Sequence, residues 1–232
     1  FEFATDLFNQ AKDLGAEVKY EKVVGISLEG SIKKIKTEKE TYDAKSVILA
    51  TGAKNRPLGL PNEKKLVGSG ISYCATCDGM FYRGKVVAVN GGGNTAIEDA
   101  TFLANVASKV YVVHRRDEFR AEEAVVAALK KKDNVEFVLN SNIIEIKEES
   151  FAVSGIVVED KNTHEKREIA VDGLFVAIGQ VPDNNAFADV VELDKAGYII
   201  AGEDCKTKTE GVFAAGDGRT CLLYTSDAAD EE

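Results

Sequence analysis

The sequence has no tryptophan, one methionine, three prolines, two histidines and four cysteines in 232 residues. Four unevenly spaced cysteines are too few for the disulfide framework of a small secreted domain. No apolar run approaches the roughly 18 residues that a membrane-spanning helix needs. Positive charge is also scarce, since 29 Lys and Arg face 39 Asp and Glu. This balance argues against a nucleic-acid-binding protein, which needs clustered Lys and Arg to neutralise phosphates.

What the sequence does contain is ordinary globular composition, with 44% hydrophobic and 29% charged residues. The N-terminus shows neither the basic region nor the apolar region of a secretory signal. We therefore expect a soluble, cytoplasmic α/β protein that associates with neither nucleic acid nor membrane.

Both ends of the chain carry unusual sequence. A helical pattern runs from Phe3 to Leu14, with no start methionine and no strand before it. The stretch from Cys221 onward continues no preceding periodicity and resembles the translation of a sequencing adapter, although a genuine acidic tail is the alternative. We expect residues 221–232 to be a non-native tail and exclude them from the fold prediction.

The first part of the chain reads as one helix followed by short strands. The helix ends near Gly15, and strands are predicted over residues 17–27, 31–37, 41–43 and 46–50. The run over residues 46–50 is continuously apolar, which predicts a strand buried on both faces. Two of the three prolines fall in residues 56–62, so we expect a crossover between domains there.

A second module follows this crossover. A strand over residues 85–89, a helix over 95–107 and a strand over 109–114 form a βαβ unit, the building block of a parallel sheet. A helix is predicted over residues 120–132, and strands over 135–139, 143–147, 151–159 and 173–178. Pro182 marks the expected return crossover.

A glycine-rich turn lies between the first strand and the helix of this module. It reads Gly91, Gly92, Gly93, Asn94, Thr95 and Ala96, which matches G-x-G-x-x-A. In this motif the first glycine permits a tight turn, the second lets the backbone approach a pyrophosphate, and alanine allows close packing of helix on strand. The helix N-terminus then offers free N–H groups to phosphates. The strand–turn–helix context favours a dinucleotide site over a plain turn.

A basic cluster follows the second strand of the module, at His114, Arg115, Arg116 and Arg120. An NAD site would place Asp or Glu near this point to hold the ribose 2′-hydroxyl. Arginine forks instead bind a 2′-phosphate. The cluster therefore favours NADPH, with a solvated group of charges as the alternative.

A C-x-x-C pair, Cys74 and Cys77, precedes the module and is followed by Asp78. Such a pair is typical of a redox dithiol or of half a zinc site. Zinc would want four ligands, and neither Cys205 nor the two histidines are placed to complete a site. We expect redox function and no metal, with zinc and an inert pair as alternatives. Asp78 could move protons during thiol chemistry, or could simply be a surface or capping residue.

Two apolar strands run into turns of small residues where a flat cofactor could lie against the backbone. One turn contains Thr51 and Gly52, and the other contains Gly216 and Asp217, whose carboxylate could accept a hydrogen bond from a ribityl hydroxyl. Each could also be a plain buried strand and turn. Ile178 and Gly179, at the end of a third apolar run, complete the expected cofactor-binding set.

Together these motifs resemble the bacterial-type, low-molecular-weight thioredoxin reductases. The matching stretches run in family order and cover almost all of residues 1–220. They are Ala50–Gly52, Cys74–Gly79, Gly91–Ala96, His114–Ala121, Asp172–Gly179 and Gly211–Asp217.

The resemblance implies a two-domain Rossmann-like flavoprotein that uses FAD and NADPH to reduce the disulfide of thioredoxin, acting as a homodimer whose domains rotate relative to each other. It also implies the roles of three residues. Cys77 lies nearer the flavin, Cys74 attacks the substrate disulfide, and Asp78 handles the proton.

The resemblance further implies how the chain is divided. The expected FAD domain comprises residues 1–57 and 183–220, and the NADPH domain with the cysteine pair comprises residues 58–182. The family's N-terminal FAD-binding strand–turn–helix and its C-terminal segment are not seen, so we expect weak FAD binding and no turnover from the chain as written.

Other functions stay open at this point. The pair could belong to the flavoprotein of a peroxide-reducing system or to a ferredoxin-linked reductase, although the latter would not need the arginines. A non-catalytic NADPH-binding module with a zinc-holding cysteine pair is a further possibility.

Overall fold

The computed structural model describes residues 2–220, so the predicted tail at 221–232 lies outside the described residues. The helices are α1 (Glu2–Asp13), α2 (Glu63–Leu66), α3 (Ala75–Asp78), α4 (Asn94–Leu103) and α5 (Glu123–Leu129). The strands are β1 (Val23–Glu29), β2 (Ile32–Thr37), β3 (Thr41–Ala44), β4 (Val47–Leu49), β5 (Ala53–Asn55), β6 (Ile71–Ser72), β7 (Val86–Asn90), β8 (Lys109–Val113), β9 (Val135–Val138), β10 (Ser141–Glu149), β11 (Ala152–Asp160), β12 (Lys166–Ala170), β13 (Gly173–Val176), β14 (Gln180–Pro182) and β15 (Val212–Ala214). Short 3₁₀ segments cover Gly79–Tyr82, Asn185–Phe187 and Gly216–Gly218.

The chain forms two compact units, and one is inserted into the other. The central unit comprises Lys54–Val181, and the outer unit comprises the residues up to Ala53 and from Pro182 onward. The two linking strands, β5 and β14, pair with each other. Which cofactor each unit holds stays a prediction. None of the described helices is long and apolar enough to cross a membrane.

The central unit is built on a five-stranded parallel sheet with the order β6-β13-β7-β8-β9. Alternate residues of a strand point to opposite faces. Val87 and Val89 accordingly join the core cluster that contains α4, whereas Ala88 joins the cluster that contains β10 and β11. The predicted βαβ unit is confirmed as β7, α4 and β8, and both faces of the sheet are covered.

The outer unit contains an antiparallel sheet with the order β1-β2-β3 and a parallel pair of β4 with β15. Its core includes Ile26, Leu49, Phe187, Ile199 and Val212. Because β4 and β15 are parallel and in register, the turns that follow them emerge at the same edge.

Two strand predictions in the outer unit were wrong in part. The strand predicted from residue 17 begins at Val23, because its pairing with β2 starts at Val23 opposite Thr37. The strand over residues 46–50 is not buried on both faces, since Ile48 is 69% exposed. A continuous apolar run reports the hydrophobicity of both faces, but it does not show that each face is covered.

Both helix predictions in the central unit were too long. Helix α4 ends at Leu103 because the following residues form tighter i→i+3 bonds, such as Val106 N–H to Leu103 O. Helix α5 starts at Glu123, not at residue 120, because the backbone of Glu122 is non-helical, with φ −55° and ψ 130°, and the segment before it is held by the Arg120 N–H bond to Gly92 O. Strand β12 was not predicted, since its residues are mostly charged and exposed.

Candidate active site

The glycine-rich turn joins β7 to α4, as predicted. A Cβ atom added to Gly91 would lie 2.2 Å from Ala177 O and 2.6 Å from Ala96 Cβ, whereas one added to Gly93 would meet no atom within 4 Å. Neither glycine has a positive φ angle. Gly91 is therefore required for close packing of strand and helix, and not for a special turn conformation as the sequence interpretation proposed. Gly93 faces open space.

The N-terminus of α4 offers N–H groups to this space. Gly93 is the N-cap residue, and no side chain caps the helix. Asn94 and Thr95 are exposed and Ala96 is fully buried beneath the turn. A phosphate can reach this turn without displacing any side chain, so the residues present fit a dinucleotide pyrophosphate.

The segment from His114 to Arg120 packs against the glycine-rich turn and is hydrogen-bonded to it. A Cβ atom on Gly92 would lie 2.2 Å from the His114 ring, which stacks on Phe119 at 5.2 Å between centroids. Arg120 N–H donates to Gly92 O at 2.8 Å. His114 is thus a buried support of the turn, while the backbone places the arginines next to it.

Three arginines lie close enough to His114 to act on its charge. Arg115, Arg116 and Arg120 are all exposed. Burial lowers the pKa of His114, and the positive charges of all three guanidinium groups lower it further, although a hydrogen bond with Glu118 O opposes this. Exposed guanidinium groups beside the glycine-rich turn have the chemistry to bind a phosphate group.

The C-x-x-C pair lies at a short helix in the same unit. Cys74 and Cys77 form a disulfide at either end of the first turn of α3. Cys74 is half-buried and Cys77 is exposed. Ala75 between them packs in the same core cluster as Ala96 and Ile97 of α4. The disulfide therefore rests on the helix that the glycine-rich turn opens.

Two carboxyl groups flank this disulfide. Asp78 ends α3 and accepts a hydrogen bond from Ser72 Oγ at 2.7 Å. Asp99, on α4, accepts a hydrogen bond from the Ala75 N–H, and burial raises its pKa to about 6. Sequence reasoning identified Asp78 but missed Asp99, because an acidic residue one turn into an amphipathic helix carries no distinguishing pattern.

An apolar surface follows the disulfide and was also missed. Met80 is 50% exposed and Phe81 is 74% exposed, directly after Asp78 in the segment Gly79–Tyr82. Large exposed apolar side chains in a cluster are typical of a protein-binding surface. The available signal was the apolar run that begins at Met80, which periodicity alone does not distinguish from core.

In the outer unit, the turns after β4 and β15 meet as expected. Asn184 is 1% exposed and joins them, because it accepts from Thr51 Oγ1 at 2.7 Å and donates to Gly218 O at 2.8 Å. Gly52 and Gly216 have φ angles of +65° and +75°, with no atom within 4 Å of an added Cβ. Asp217 is exposed beside them. The backbone of both turns is open to a flat ligand.

Ile178 and Gly179, which were also expected to bind a cofactor, belong to the central unit, whereas the two open turns belong to the outer unit. Gly179 has a φ angle of +89°, and its carbonyl accepts the Arg56 N–H at 2.9 Å. The structure thus groups the predicted residues into a glycine–arginine site, a cysteine site and an open pair of turns. Across residues 2–220, no group of three or more His, Cys, Asp or Glu side chains is arranged to hold a metal ion.

Comparisons with known proteins give the family. The family model for pyridine nucleotide-disulphide oxidoreductases matches residues 3–231. The thioredoxin reductase of Peptoclostridium acidaminophilum is 46% identical over 219 residues, which cover 92% of this chain and 70% of that protein. The thioredoxin reductase of Treponema pallidum is 39% identical over 234 residues, which cover 99% of this chain and 76% of that protein.

The fold agrees with this result. The crystal structure of the Lactococcus lactis thioredoxin reductase matches with a TM-score of 0.76 at 36% identity, covering 94% of this chain and 72% of that chain. The resemblance that the motifs carry and the Rossmann-like, two-domain fold class are confirmed. The chain therefore belongs to the thioredoxin reductases, flavoprotein enzymes of the pyridine nucleotide-disulphide oxidoreductase family.

Proposed function

We propose that this chain reduces the disulfide of thioredoxin with electrons from NADPH, through FAD and the Cys74–Cys77 pair. The observation that carries the proposal is the disulfide itself. It lies at α3 together with Asp78. Helix α3 packs on α4, the helix that begins at the glycine-rich turn. A structural disulfide would not need a neighbouring carboxyl group or a nucleotide-binding turn beneath it.

NADPH would be held by the glycine-rich turn and the arginine segment. The open space over Gly93 and the uncapped N-terminus of α4 suit the pyrophosphate. Arg115, Arg116 and Arg120 suit a 2′-phosphate, because guanidinium groups bind phosphate oxygens in pairs. His114 packs against Gly92 as a buried side chain, and its place in the cofactor-binding set stays a prediction.

FAD would be held by the open turns of the outer unit, at Thr51, Gly52, Gly216 and Asp217, and the place of Ile178 and Gly179 in the cofactor-binding set stays a prediction. The space above both glycines supports this assignment. When bound, flavin accepts a hydride from NADPH and passes two electrons to a disulfide. That the chain as written retains FAD weakly and lacks turnover stays a prediction, which flavin content after purification measures.

The cysteine pair would carry the exchange step. Once reduced, the Cys74 thiolate attacks one sulfur of the thioredoxin disulfide, and a mixed disulfide forms as the other substrate sulfur leaves. Asp78 supplies a proton to that leaving sulfur. The Cys77 thiolate then attacks Cys74, which releases the second substrate sulfur and restores the Cys74–Cys77 disulfide. Two electrons pass from the pair to thioredoxin, and the substrate becomes a dithiol with one proton from Asp78 and one from water.

A protein substrate is favoured over a small disulfide by the surface beside the pair. Met80 and Phe81 are exposed next to Asp78, and a small disulfide would leave them uncovered. Aromatic residues are enriched at the centres of protein interfaces. The homodimer that the resemblance implies stays a prediction.

The proposal is tested by the exchange reaction first. The chain is reduced with dithiothreitol, freed of reductant and mixed with oxidised thioredoxin, and we expect thioredoxin thiols to form in proportion to the chain added. Cys74→Ser should abolish this, whereas Cys205→Ser, the matched control at the free cysteine of residues 2–220, should not. Bound zinc with no reducible disulfide would contradict the proposal and favour a non-catalytic module.

The nucleotide assignment is tested by binding. NADPH and NADH are titrated into the chain by calorimetry, and we expect tighter binding of NADPH. The preference should fall by at least about ten-fold in the Arg115→Ala/Arg116→Ala variant, since a bidentate phosphate contact contributes about 1.5–3 kcal/mol. Equal affinity of the wild-type chain for both nucleotides would refute the assignment.

A further inference from the structure

We propose that Ser72 is a positioning residue that holds the Asp78 carboxyl group beside the Cys74–Cys77 pair in both of its protonation states. The inference rests on the proposed function, because it concerns the proton that Asp78 supplies during exchange. Ser72 is the last residue of β6 and is 3% exposed. It is neither a cysteine nor an acid, and no sequence motif identifies it.

The Ser72 hydroxyl is placed between the two ends of the active turn. Its oxygen lies 2.7 Å from Asp78 Oδ2, and it accepts the backbone N–H of Cys74 at 3.0 Å. It also lies 3.2 Å from the backbone carbonyl oxygen of Cys74. One buried oxygen therefore touches the carboxyl group and both sides of the peptide backbone at Cys74.

Counting donors and acceptors shows why this arrangement suits a proton donor. A serine hydroxyl has one hydrogen and two acceptor lone pairs. The Cys74 N–H occupies one lone pair throughout. When Asp78 is ionised, the hydroxyl hydrogen points to its carboxylate in a short, charge-assisted bond. When Asp78 is protonated, its O–H donates to the second lone pair, and the serine hydrogen turns to Cys74 O.

Every polar group of the network is satisfied in both states, and no heavy atom has to move. A carboxyl group that changes protonation in each cycle would otherwise gain or lose a buried partner at every step, which costs about 1–3 kcal/mol. Fixed placement also keeps the proton within reach of the reacting sulfur, where small displacements lower the rate. Alanine at position 72 would remove all three contacts.

Other groups around Asp78 titrate and must be separated from it. Burial raises the pKa of Tyr82, and the charge of Asp78 raises it further. Asp99 faces α3 from α4 and bonds to the Ala75 N–H. The test therefore compares variants that differ in Ser72 and Asp78 and leaves these two residues in place.

The experiment follows the reduced pair in a Cys205→Ser/Cys221→Ser background. The rate of reaction with oxidised thioredoxin and with a small aromatic disulfide is measured from about pH 5 to about pH 9. We expect Ser72→Ala to be about ten-fold slower near neutral pH. Ser72→Thr, which keeps the hydroxyl, and Ser141→Ala, which removes another buried serine hydroxyl of this unit, should stay within about two-fold.

A double variant tests whether Ser72 acts through Asp78. In an Asp78→Asn background, Ser72→Ala should cause no further loss, because the proton that Ser72 positions is already gone. An equal loss in both backgrounds would overturn the proposal, as would a Ser72→Ala rate and pH profile equal to those of Ser141→Ala. If the wild-type pair reacts with the small disulfide but not with thioredoxin, the proposed substrate fails and the Ser72 comparison still stands.

One measurement needs no serine variant and covers the case in which Ser72→Ala does not fold. The amide resonance of Cys74 reports the hydroxyl that its N–H contacts. We expect this resonance to differ between the wild-type chain and Asp78→Asn, because the group that the Ser72 hydroxyl contacts has changed. A Cys74 amide resonance that is the same in both chains would overturn the proposal.

Discussion

Alanine substitutions at Gly91 and Gly93 should affect different properties of the chain. Gly91→Ala should lower the stability of the fold, whereas Gly93→Ala should weaken nucleotide binding. An added Cβ at Gly91 would lie 2.2 Å from the backbone oxygen of Ala177 and 2.6 Å from Ala96 Cβ. Ala177 directly follows β13 and its N–H is bonded to Asn90 O, so its backbone cannot give way cheaply, and overpacking of this kind costs about 3 kcal/mol. For a chain of this length, that corresponds to a melting temperature lower by about 6–12 °C.

Gly93→Ala should leave the fold nearly unchanged. An added Cβ meets no atom within 4 Å, and the φ angle of −95° suits alanine. The remaining cost is the weaker N-cap that alanine provides, about 0.5–1 kcal/mol. The new methyl group would occupy the space into which the pyrophosphate must come. We expect the dissociation constant for NADPH to rise by at least about ten-fold, equivalent to 1.4 kcal/mol.

Thermal unfolding and calorimetric titration with NADPH distinguish the two variants. Gly202→Ala is the matched control, because an added Cβ there has one ordinary contact at 3.6 Å and lies in the other unit. If Gly93→Ala bound NADPH as tightly as the control, the pyrophosphate would not lie over this turn. If Gly91→Ala melted at the wild-type temperature, the explanation of Gly91 by close packing would be wrong.

Three further predictions concern the central unit. Glu63 is 1% exposed and accepts two backbone N–H groups and the Tyr73 hydroxyl, each at 2.8 Å. Glu63→Ala should therefore lower the free energy of unfolding in urea by about 3 kcal/mol and Glu63→Gln by less, and equal losses would argue against the role of these bonds. Burial raises the pKa of Asp99 to about 6, above its unfolded value, so the native state loses stability as the pH rises through that value. Asp99→Asn should therefore raise the melting temperature more at pH 8 than at pH 5, and a uniform change would contradict this. Phe81→Ala should leave the melting temperature unchanged, because the side chain is 74% exposed, but should slow the reaction of the reduced pair with oxidised thioredoxin by about five-fold. Its reaction with a small disulfide should not slow, and an unchanged rate with thioredoxin would remove Phe81 from the docking surface.

Much of the fold follows from local pattern. The strand–turn–helix around Gly91 was predictable because apolar alternation, glycines and a capping position all indicate the same structure over a short stretch. The N-terminal boundary of α5 was not predictable in this way. Arg120 has good helix propensity, but its N–H bonds to Gly92 O, which is distant in sequence. Tertiary hydrogen bonds decide such boundaries, and no local window contains them.

In the candidate site, too, some residues could be identified from the sequence and others could not. Cysteine spacing and the arginine cluster identified residues of distinctive chemistry, whose roles stay predictions. The supporting residues, Ser72, Asn184 and Asp99, are common types in unremarkable surroundings. Asn184 contacts Thr51, 133 positions away in sequence, and this contact is visible only after folding. A sequence motif reports the group that reacts, whereas the groups that orient it are found from the structure.

The central claim is that Cys74 and Cys77 exchange with the disulfide of thioredoxin, and a trapping measurement tests it directly. Chains with Cys205 and Cys221 replaced by serine would carry either Cys77→Ser or Cys74→Ser. Each is mixed with a thioredoxin that retains one active-site cysteine bearing an aromatic thiol as leaving group. We predict that Cys77→Ser forms a covalent complex of one chain with one thioredoxin, through Cys74, much faster than Cys74→Ser does. Formation of the complex at equal rates, or in neither variant, would contradict the account.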